Sequence, residues 1–396
     1  MKCKITNKKI EPFMSFGNMP IANGFVKKDD FKKEFFFKME VGFSDELSLF
    51  QLNDHPKPES MFNDQYPFYT GSSEYMKNHF KKFSNFVKKD FLNTNSKIIE
   101  IGSNDGTLLK NFFENKENIL GIEPSKNVAE KAISDGVPTL NEFFNVENVS
   151  KLKSFLGNTD AIFASNCICH IPDLTNLIKA VDLLLSKNGT FIFEEPYLGS
   201  MFEKTSYDQI YDEHIYMFSA SSVDKIFRLY DFELIDVVPQ VTHGGSLRYI
   251  IKRKNTSKKS DHLKQFLENE KKRKIDSMES CLNFKNNCEL SKINIVKKLE
   301  KLKAEEKRIC GYAATSKSTT VLNYCKIDNT VIDYICDTTP EKIGKYSPGM
   351  HIPIVDINHF RNNLPDAVYL FGWNHKDEIF KKEKDYKGEW FSHVNL

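Results

Sequence analysis

Tyr211, Glu213 and His214 stand almost side by side in the segment Asp208-Gln-Ile-Tyr-Asp-Glu-His214. A turn or short helix brings them onto one side, since residues three apart share a helical face. An imidazole beside carboxylates, with a phenol close by, suits proton abstraction near neutral pH; a surface helix with an acidic face is the competing reading of these residues alone. A different chemistry is written at Ile98-Ile-Glu-Ile-Gly-Ser-Asn-Asp-Gly-Thr107. A short apolar strand leads there into a tight turn with Gly102 and Gly106 at its ends, Asn104 between them and Glu100 just before. Glycines let a backbone approach a ligand without an intervening Cβ. The next apolar strand, 118–122, runs into Glu123-Pro124, and Glu123 follows Gly102 by 21 residues. That is where a Rossmann-type site places the acid that binds ribose hydroxyls. A third cluster, Thr242-His-Gly-Gly-Ser-Leu-Arg248, combines His243, Gly244, Gly245, Ser246 and Arg248. Backbone N–H groups and a guanidinium fork make an anion or diphosphate site, unless the segment is an ordinary hairpin turn. Near the end, Gly311-Tyr-Ala-Ala-Thr-Ser-Lys-Ser-Thr319 offers Lys317 as a phosphate ligand. It lacks the second glycine and the Gly-Lys-Ser/Thr ending of a P-loop, which disfavours ATP hydrolysis.

These residues need elements to hold them. Residues 1–75 have weak periodicity, many aromatics and several Pro/Gly breaks, as a small irregular β-rich module would. Helical spacing follows over 73–90, with Tyr75, Phe80, Phe83 and Phe86 among charged residues. From 76 to 253 short apolar strands alternate with helices, at 98–101, 118–122, 161–164 and 190–193, with a late pair near 232–237 and 247–252. The run 107–113 also has helical spacing. Alternation of this kind means a mostly parallel sheet covered on both faces. Sites in such sheets form at the carboxyl ends of strands. Those ends carry the glycine turn, Glu123, the segment Ser165-Asn166-Cys-Ile-Cys-His170, and Glu194-Glu195. Residues 254–306 read as a charged, solvated helical connector with interspersed signs. Residues 307–396 read as a second, smaller α/β domain.

Formal net charge is +2 over 396 residues, so nothing pulls the chain toward nucleic acid or anionic lipid. The eight cysteines are scattered and never spaced C-x-x-C, which predicts reduced thiols rather than a disulfide framework. No apolar run reaches membrane-spanning length, and Met1-Lys-Cys-Lys-Ile-Thr lacks the apolar core of a signal peptide. The expectation is a soluble, cytoplasmic protein, a monomer or weak dimer.

The turn Glu100-Ile-Gly-Ser-Asn-Asp-Gly106 resembles motif I of class I S-adenosylmethionine methyltransferases, whose adenosyl ligand carries no pyrophosphate. Over nearly its whole length the chain resembles the nucleotide-deoxysugar C-methyltransferases, which add a branch methyl to keto sugars. The resemblance is carried by Phe16-Gly-Asn-Met-Pro-Ile-Ala-Asn23, the glycine turn, His170-Ile-Pro-Asp-Leu174, Tyr211-Asp-Glu-His214 and His243-Gly-Gly-Ser-Leu-Arg248. Gly311-Tyr-Ala-Ala, Asn323-Tyr-Cys325, Tyr346-Ser-Pro-Gly349 and Trp373-Asn374 extend it to the C-terminal unit. It implies a class I Rossmann-like donor domain, a C-terminal Rossmann-like domain that helps hold the nucleotide sugar, and a small N-terminal module. It implies catalytic roles for His214, Glu213, Tyr211 and His170. Glu100, Gly102, Asn104, Gly106, Glu123, Pro124 and Asn166 would hold S-adenosylmethionine. The sugar would meet Tyr66 or Tyr69, Glu195, the 243–248 turn, Lys317 and Asn323. In the mechanism this implies, His214 removes a proton next to a ketone, Glu213 fixes its tautomer, and Tyr211 or His170 stabilises the enolate. One departure stands out. Relatives begin with a zinc module of two C-x-x-C pairs, whereas this chain has Cys3-Lys-Ile-Thr6 and Phe43-Ser-Asp-Glu-Leu47. Structural zinc needs four good ligands, so no metal is expected and the module is read as a metal-free substrate lid. An O- or N-methyltransferase on a nucleotide sugar, or a non-catalytic nucleotide-sugar-binding protein, are the rival readings.

Overall fold

The computed structural model describes residues 1–64 and 66–396. At its centre the fully buried strand Ile98–Ile101 lies between the parallel strands Ile119–Ile122 and Thr159–Ser165. The seven-stranded sheet runs Phe232–Gln240, Ser246–Arg253, Leu185–Pro196, Thr159–Ser165, Ile98–Ile101, Ile119–Ile122, Thr139–Leu140. Its five strands from Leu185–Pro196 onward are parallel, and Ser246–Arg253 is antiparallel to both its neighbours. Continuous apolar runs such as Ile-Ile-Glu-Ile and Ile-Leu-Gly-Ile are what a sheet buried on both faces requires. Strand order reverses between Ile98–Ile101 and Thr159–Ser165, so a crevice opens at their carboxyl ends.

The helix expected over 73–90 is present as Glu74–Asp90, started by the Ser73 side chain accepting from Met76 N. The segment after the glycine turn differs from its spacing. It is an irregular 3-10 stretch, Leu109–Asn118, with Phe112 and Asn115 outside helical geometry. The Asn111 amide donates to the carbonyls of Thr107 and Leu108, competing locally with a regular helical ladder.

The N-terminal module is an antiparallel sheet of Pro12–Pro20, Phe36–Ser44 and Leu49–Leu52, completed by Tyr216–Met217 from far along the chain. Residues 254–306 form two helices, Asp261–Lys272 and Met278–Ala304. The second is more than a solvated connector. It buries Cys281, Phe284, Cys288, Ile295, Leu299 and Leu302 in a core shared with the N-terminal sheet and the C-terminal unit. That unit is a five-stranded parallel sheet, ordered Ile354–Asp356, Ile335–Asp337, Ile309–Tyr312, Ala367–Leu370, Glu389–Phe391.

Candidate active site

The crevice holds a cavity of about 260 Å³, walled by the N-terminal segment (Pro58, Phe62, Tyr66), the strand ends of the central sheet, and His375 of the C-terminal unit. Of the residues expected around a methyl donor, Glu100, Gly102, Asn104, Glu123, Pro124 and Asn166 line it. Gly102 and Gly106 have φ of +63° and +74°, a conformation that costs glycine little. Their role is more internal than the sequence suggests. A Cβ at Gly102 would stand 2.8 Å from Cys167, and one at Gly106 2.6 Å from Val137. Glu123 accepts from Asn104 N at 3.0 Å and Ser125 N at 2.8 Å, so its carboxylate is aimed before any ligand arrives. Burial raises its pKa, and burial with the nearby Asp105 and Glu123 charges raises that of Glu100 much further. Within the described residues Glu100 Oε2, Ser165 Oγ, Asn166 Oδ1, His170 Nε2 and His243 Nε2 are buried without a hydrogen-bond partner, and all five residues line this cavity. Buried polar atoms are seldom left unpaired. A polar ligand with a ribose and an amino-acid tail answers that deficit, so the residues fit S-adenosylmethionine.

Of the catalytic candidates His170 lines this cavity, and His214 and Tyr211 are stacked and hydrogen-bonded behind it. The Tyr211 hydroxyl lies 2.6 Å from His214 Nε2, and His214 Nδ1 lies 2.7 Å from the Gln209 carbonyl. A carbonyl only accepts, so Nδ1 carries the hydrogen and Nε2 presents its lone pair. The Gln209 backbone thus fixes the tautomer, where the sequence reading gave that task to Glu213. Glu213 instead accepts from Asn23 Nδ2 at 2.6 Å and faces the Tyr66 hydroxyl at 3.4 Å. The His170 ring stacks between Phe62 (centroids 5.5 Å) and His214 (5.3 Å). Burial drives the His170 pKa to about 3 and takes that of His214 well below its usual value, so both imidazoles are neutral. Burial lifts Asp212 to about 8 and Glu213 to about 7. Of the two candidate tyrosines only Tyr66 lines the cavity, while the Tyr69 hydroxyl is bonded to Asn127.

Other expected substrate contacts lie elsewhere. Arg248 is buried beneath the turn, where its guanidinium binds Glu194 Oε1 at 2.5 and 2.6 Å and stacks over Phe83; His79 takes the other carboxylate oxygen at 2.6 Å. Gly244 and Gly245 make room for the Trp373 ring and Ser200, and the Ser246 hydroxyl donates to the Thr242 carbonyl. From this turn only His243 reaches the cavity. Glu195 Oε1 gathers the N–H groups of Cys167, Ile168 and Cys169 and so shapes the His170 turn; burial raises its pKa to about 7. Lys317 is buried over Trp373, 3.4 Å from Asn374 Oδ1, with its pKa lowered by burial. Asn323 spends its amide on the Thr319 and Pro348 carbonyls. Asn23, Phe62, Cys167 and His375 were missed. Asn23 and Cys167 lie in segments already singled out, whereas nothing in the sequence marks Phe62 and His375.

At the N-terminus Cys3 is fully buried in one apolar cluster with Leu47 and Leu49. One thiol among Thr6, Ser44 and Leu47 is not a tetrahedral donor set, so structural zinc does not fit these residues. Among the described residues one His/Cys/Asp/Glu trio could share an ion, Cys169, His170 and His214, with donor atoms within 4.8 Å of one another. It belongs to the catalytic wall.

Three family models match end to end: a zinc binding domain over residues 3–62, a methyltransferase domain over 73–237, and a C-methyltransferase C-terminal domain over 241–394. The chain is 27% identical over 380 residues to the C-methyltransferase NovU of Streptomyces niveus, covering 94% of this chain and 89% of that one. Among solved structures it is similar to a SAM-dependent methyltransferase from Anabaena variabilis (18% identity, TM-score 0.35, 44% of this chain and 84% of that one). It is also similar to the magnesium protoporphyrin IX methyltransferase of Synechocystis with bound SAM (12% identity, TM-score 0.34, 45% and 79%). The central domain has the class I methyltransferase Rossmann-like fold.

Proposed function

Because the chain is an S-adenosylmethionine-dependent methyltransferase built on the C-methyltransferase plan, we propose that it methylates a carbon of a nucleotide-linked keto-deoxysugar through an enolate. One observation carries this reading: the Tyr211–His214 pair, with Nδ1 tied to Gln209, stacks directly behind His170, whose ring lines the cavity that also holds the donor turn. Bound S-adenosylmethionine supplies a methyl group made electrophilic by its sulfonium, and Glu100, Asn104, Glu123 and Asn166 are the side chains that would hold it.

His214 Nε2 takes the proton from the carbon next to the ketone, and the C–H electron pair becomes the enolate. The Tyr211 hydroxyl, released from Nε2, donates to the enolate oxygen, and His170, neutral and with Nε2 unpartnered, offers a second hydrogen bond. Phe62 and Tyr66 close the cavity from the N-terminal side. Holding two ligands in near-attack geometry is worth up to ~7–11 kcal/mol of barrier. Burial, and after it the nearby Lys317 charge, lowers the proton affinity of both His243 and His375, and this grouping of basic side chains supports an anionic substrate such as a nucleoside-diphosphate sugar.

The test is His214→Ala with a nucleoside-diphosphate keto-deoxysugar. The variant should bind acceptor and S-adenosylhomocysteine yet lose turnover by ~10²–10⁴-fold. Without donor, wild-type protein should exchange the acceptor's α-proton for solvent deuterium and the variant should not. A product methylated on oxygen or nitrogen would replace the enolate mechanism with an O- or N-methyltransferase reading.

A further inference from the structure

A strap leaves the N-terminal sheet at Pro20 and crosses the catalytic loop on its way to the C-terminal unit. The Ala22 N–H donates to Asp212 Oδ1 at 2.8 Å, and the Ala22 carbonyl accepts from Thr319 Oγ1 at 2.8 Å. Farther on, Val26 bridges to Tyr346, Phe31 stacks on His351 at 3.6 Å, and Glu34 accepts from Gly349 N. Asn23 is therefore pinned on both sides. Its Nδ2 donates to Glu213 Oε1 at 2.6 Å, while the Tyr66 hydroxyl reaches the other oxygen only at 3.4 Å, beyond the usual range for a strong bond. Among the described residues the one short side-chain donor to this carboxylate comes from outside the methyltransferase domain.

We propose that Asn23 is a positioning residue of the reaction, which keeps the Glu213 carboxylate ionised and facing Tyr66 on the cavity wall, so that the N-terminal strap sets the charge of the catalytic loop. The proposal rests on the reading of Glu213 as a working carboxylate. The titratable groups that face Glu213 are Asp212 and Tyr211 on its own loop, Tyr66 from the N-terminal segment, and Cys169 from the Ile168–His170 turn. None of these carries a positive charge. Burial favours the neutral acid. A hydrogen bond to the charged form is the counterweight, and the Asn23 amide supplies it without adding a charge that the acceptor or donor would feel. An acidic or apolar side chain at residue 23 could not do this.

The experiment is the pH profile of kcat/KM in the full-length protein with a nucleoside-diphosphate keto-deoxysugar. It compares wild type, Asn23→Ala, Asn23→Asp and Glu213→Gln. Asn23→Ala should move the acid limb to higher pH by ~1 unit and recover most of its rate above the shifted limb. Asn23→Asp, nearly the same shape, should move the limb further. Melting temperature and S-adenosylhomocysteine binding should stay near wild type. A purely architectural Asn23 would lower the rate by one factor at every pH, and that result, or an unmoved limb, overturns the proposal. If Asn23→Ala does not fold, Asn23→Asp alone decides by the same criterion. Should Glu213→Gln keep the wild-type rate and limb, the role of Glu213 falls first and takes this proposal with it. An inactive Glu213→Gln beside an unmoved Asn23→Ala limb removes only the proposal.

Discussion

At Glu123 a single side chain ties the donor turn together before any ligand arrives, accepting from Asn104 on one oxygen and Ser125 on the other. A charged acceptor of this kind is worth about 1.5–3 kcal/mol. Glu123→Ala should therefore weaken S-adenosylhomocysteine binding by ~10–100-fold in calorimetry, with the acceptor's affinity little changed. Unchanged affinity would mean that the ribose is held elsewhere. This acid was legible in the sequence because strand length and turn geometry fix the offset between a glycine turn and the end of the next strand. Arg248 shows where such reading stops. Its place in a glycine-rich turn suggested an anion, but its partner is Glu194, 54 residues away in sequence and buried with it. Which charge meets which depends on strand register, and no local pattern carries that. The tautomer of His214 was missed for a like reason, since its partner is a backbone carbonyl, which every residue has.

Among the elements, the N-terminal module departs furthest from its relatives' chemistry while keeping its place. Where a zinc knuckle would cross-link two turns, Cys3, Leu47 and Leu49 pack as one apolar cluster. Burying a leucine-sized side chain is worth about 1.5–3 kcal/mol, which replaces part of what the metal–thiolate bonds would give. Protein purified without a histidine tag should hold far less than one zinc per chain by elemental analysis, and EDTA should leave its melting temperature unchanged. Stoichiometric zinc retained after Cys3→Ala would point to other ligands, with Cys169, His170 and His214 first in line. The missing cysteines were readable in the sequence, but not the apolar side chains packed around Cys3. The same holds for Met278–Ala304, whose sparse apolar residues looked like a solvated connector. Spread along 27 residues, they form a seam that only becomes visible when two other bodies press against it.

Across the molecule, buried ionisable groups pull stability in opposite directions with pH. In the folded protein His170 titrates at about 3, with His214 and His243 also well lowered, while Glu195 and Glu213 titrate at about 7 and Asp212 at about 8. Below about pH 6.5 the unfolded histidines bind protons that the native ones refuse, which raises stability with pH, and from about pH 4.5 upward the carboxyls that stay protonated only in the native state oppose that rise. Between about pH 7 and 8.5 the histidines are neutral in both states. The unfolded carboxyls are then fully ionised while the buried ones still hold protons, so the native state binds more protons and stability falls as pH rises. The ligand-free protein should therefore melt at a lower temperature at pH 8.5 than at pH 7, and Asp212→Asn should flatten that slope. A flat or rising wild-type profile over this interval would show that these carboxyls ionise normally. The strand Tyr216–Met217 has a different consequence. It lies two residues past His214, yet it is hydrogen-bonded into the N-terminal sheet through Leu49–Leu52. A chimera spliced between that module and the central domain would take three strands of this sheet from one parent and the fourth from the other, and the seam would run beside the loop that carries His214. The smallest inheritable unit of this protein is therefore residues 1–253 taken whole, and substrate range would be exchanged between relatives only across longer stretches than the domain borders suggest.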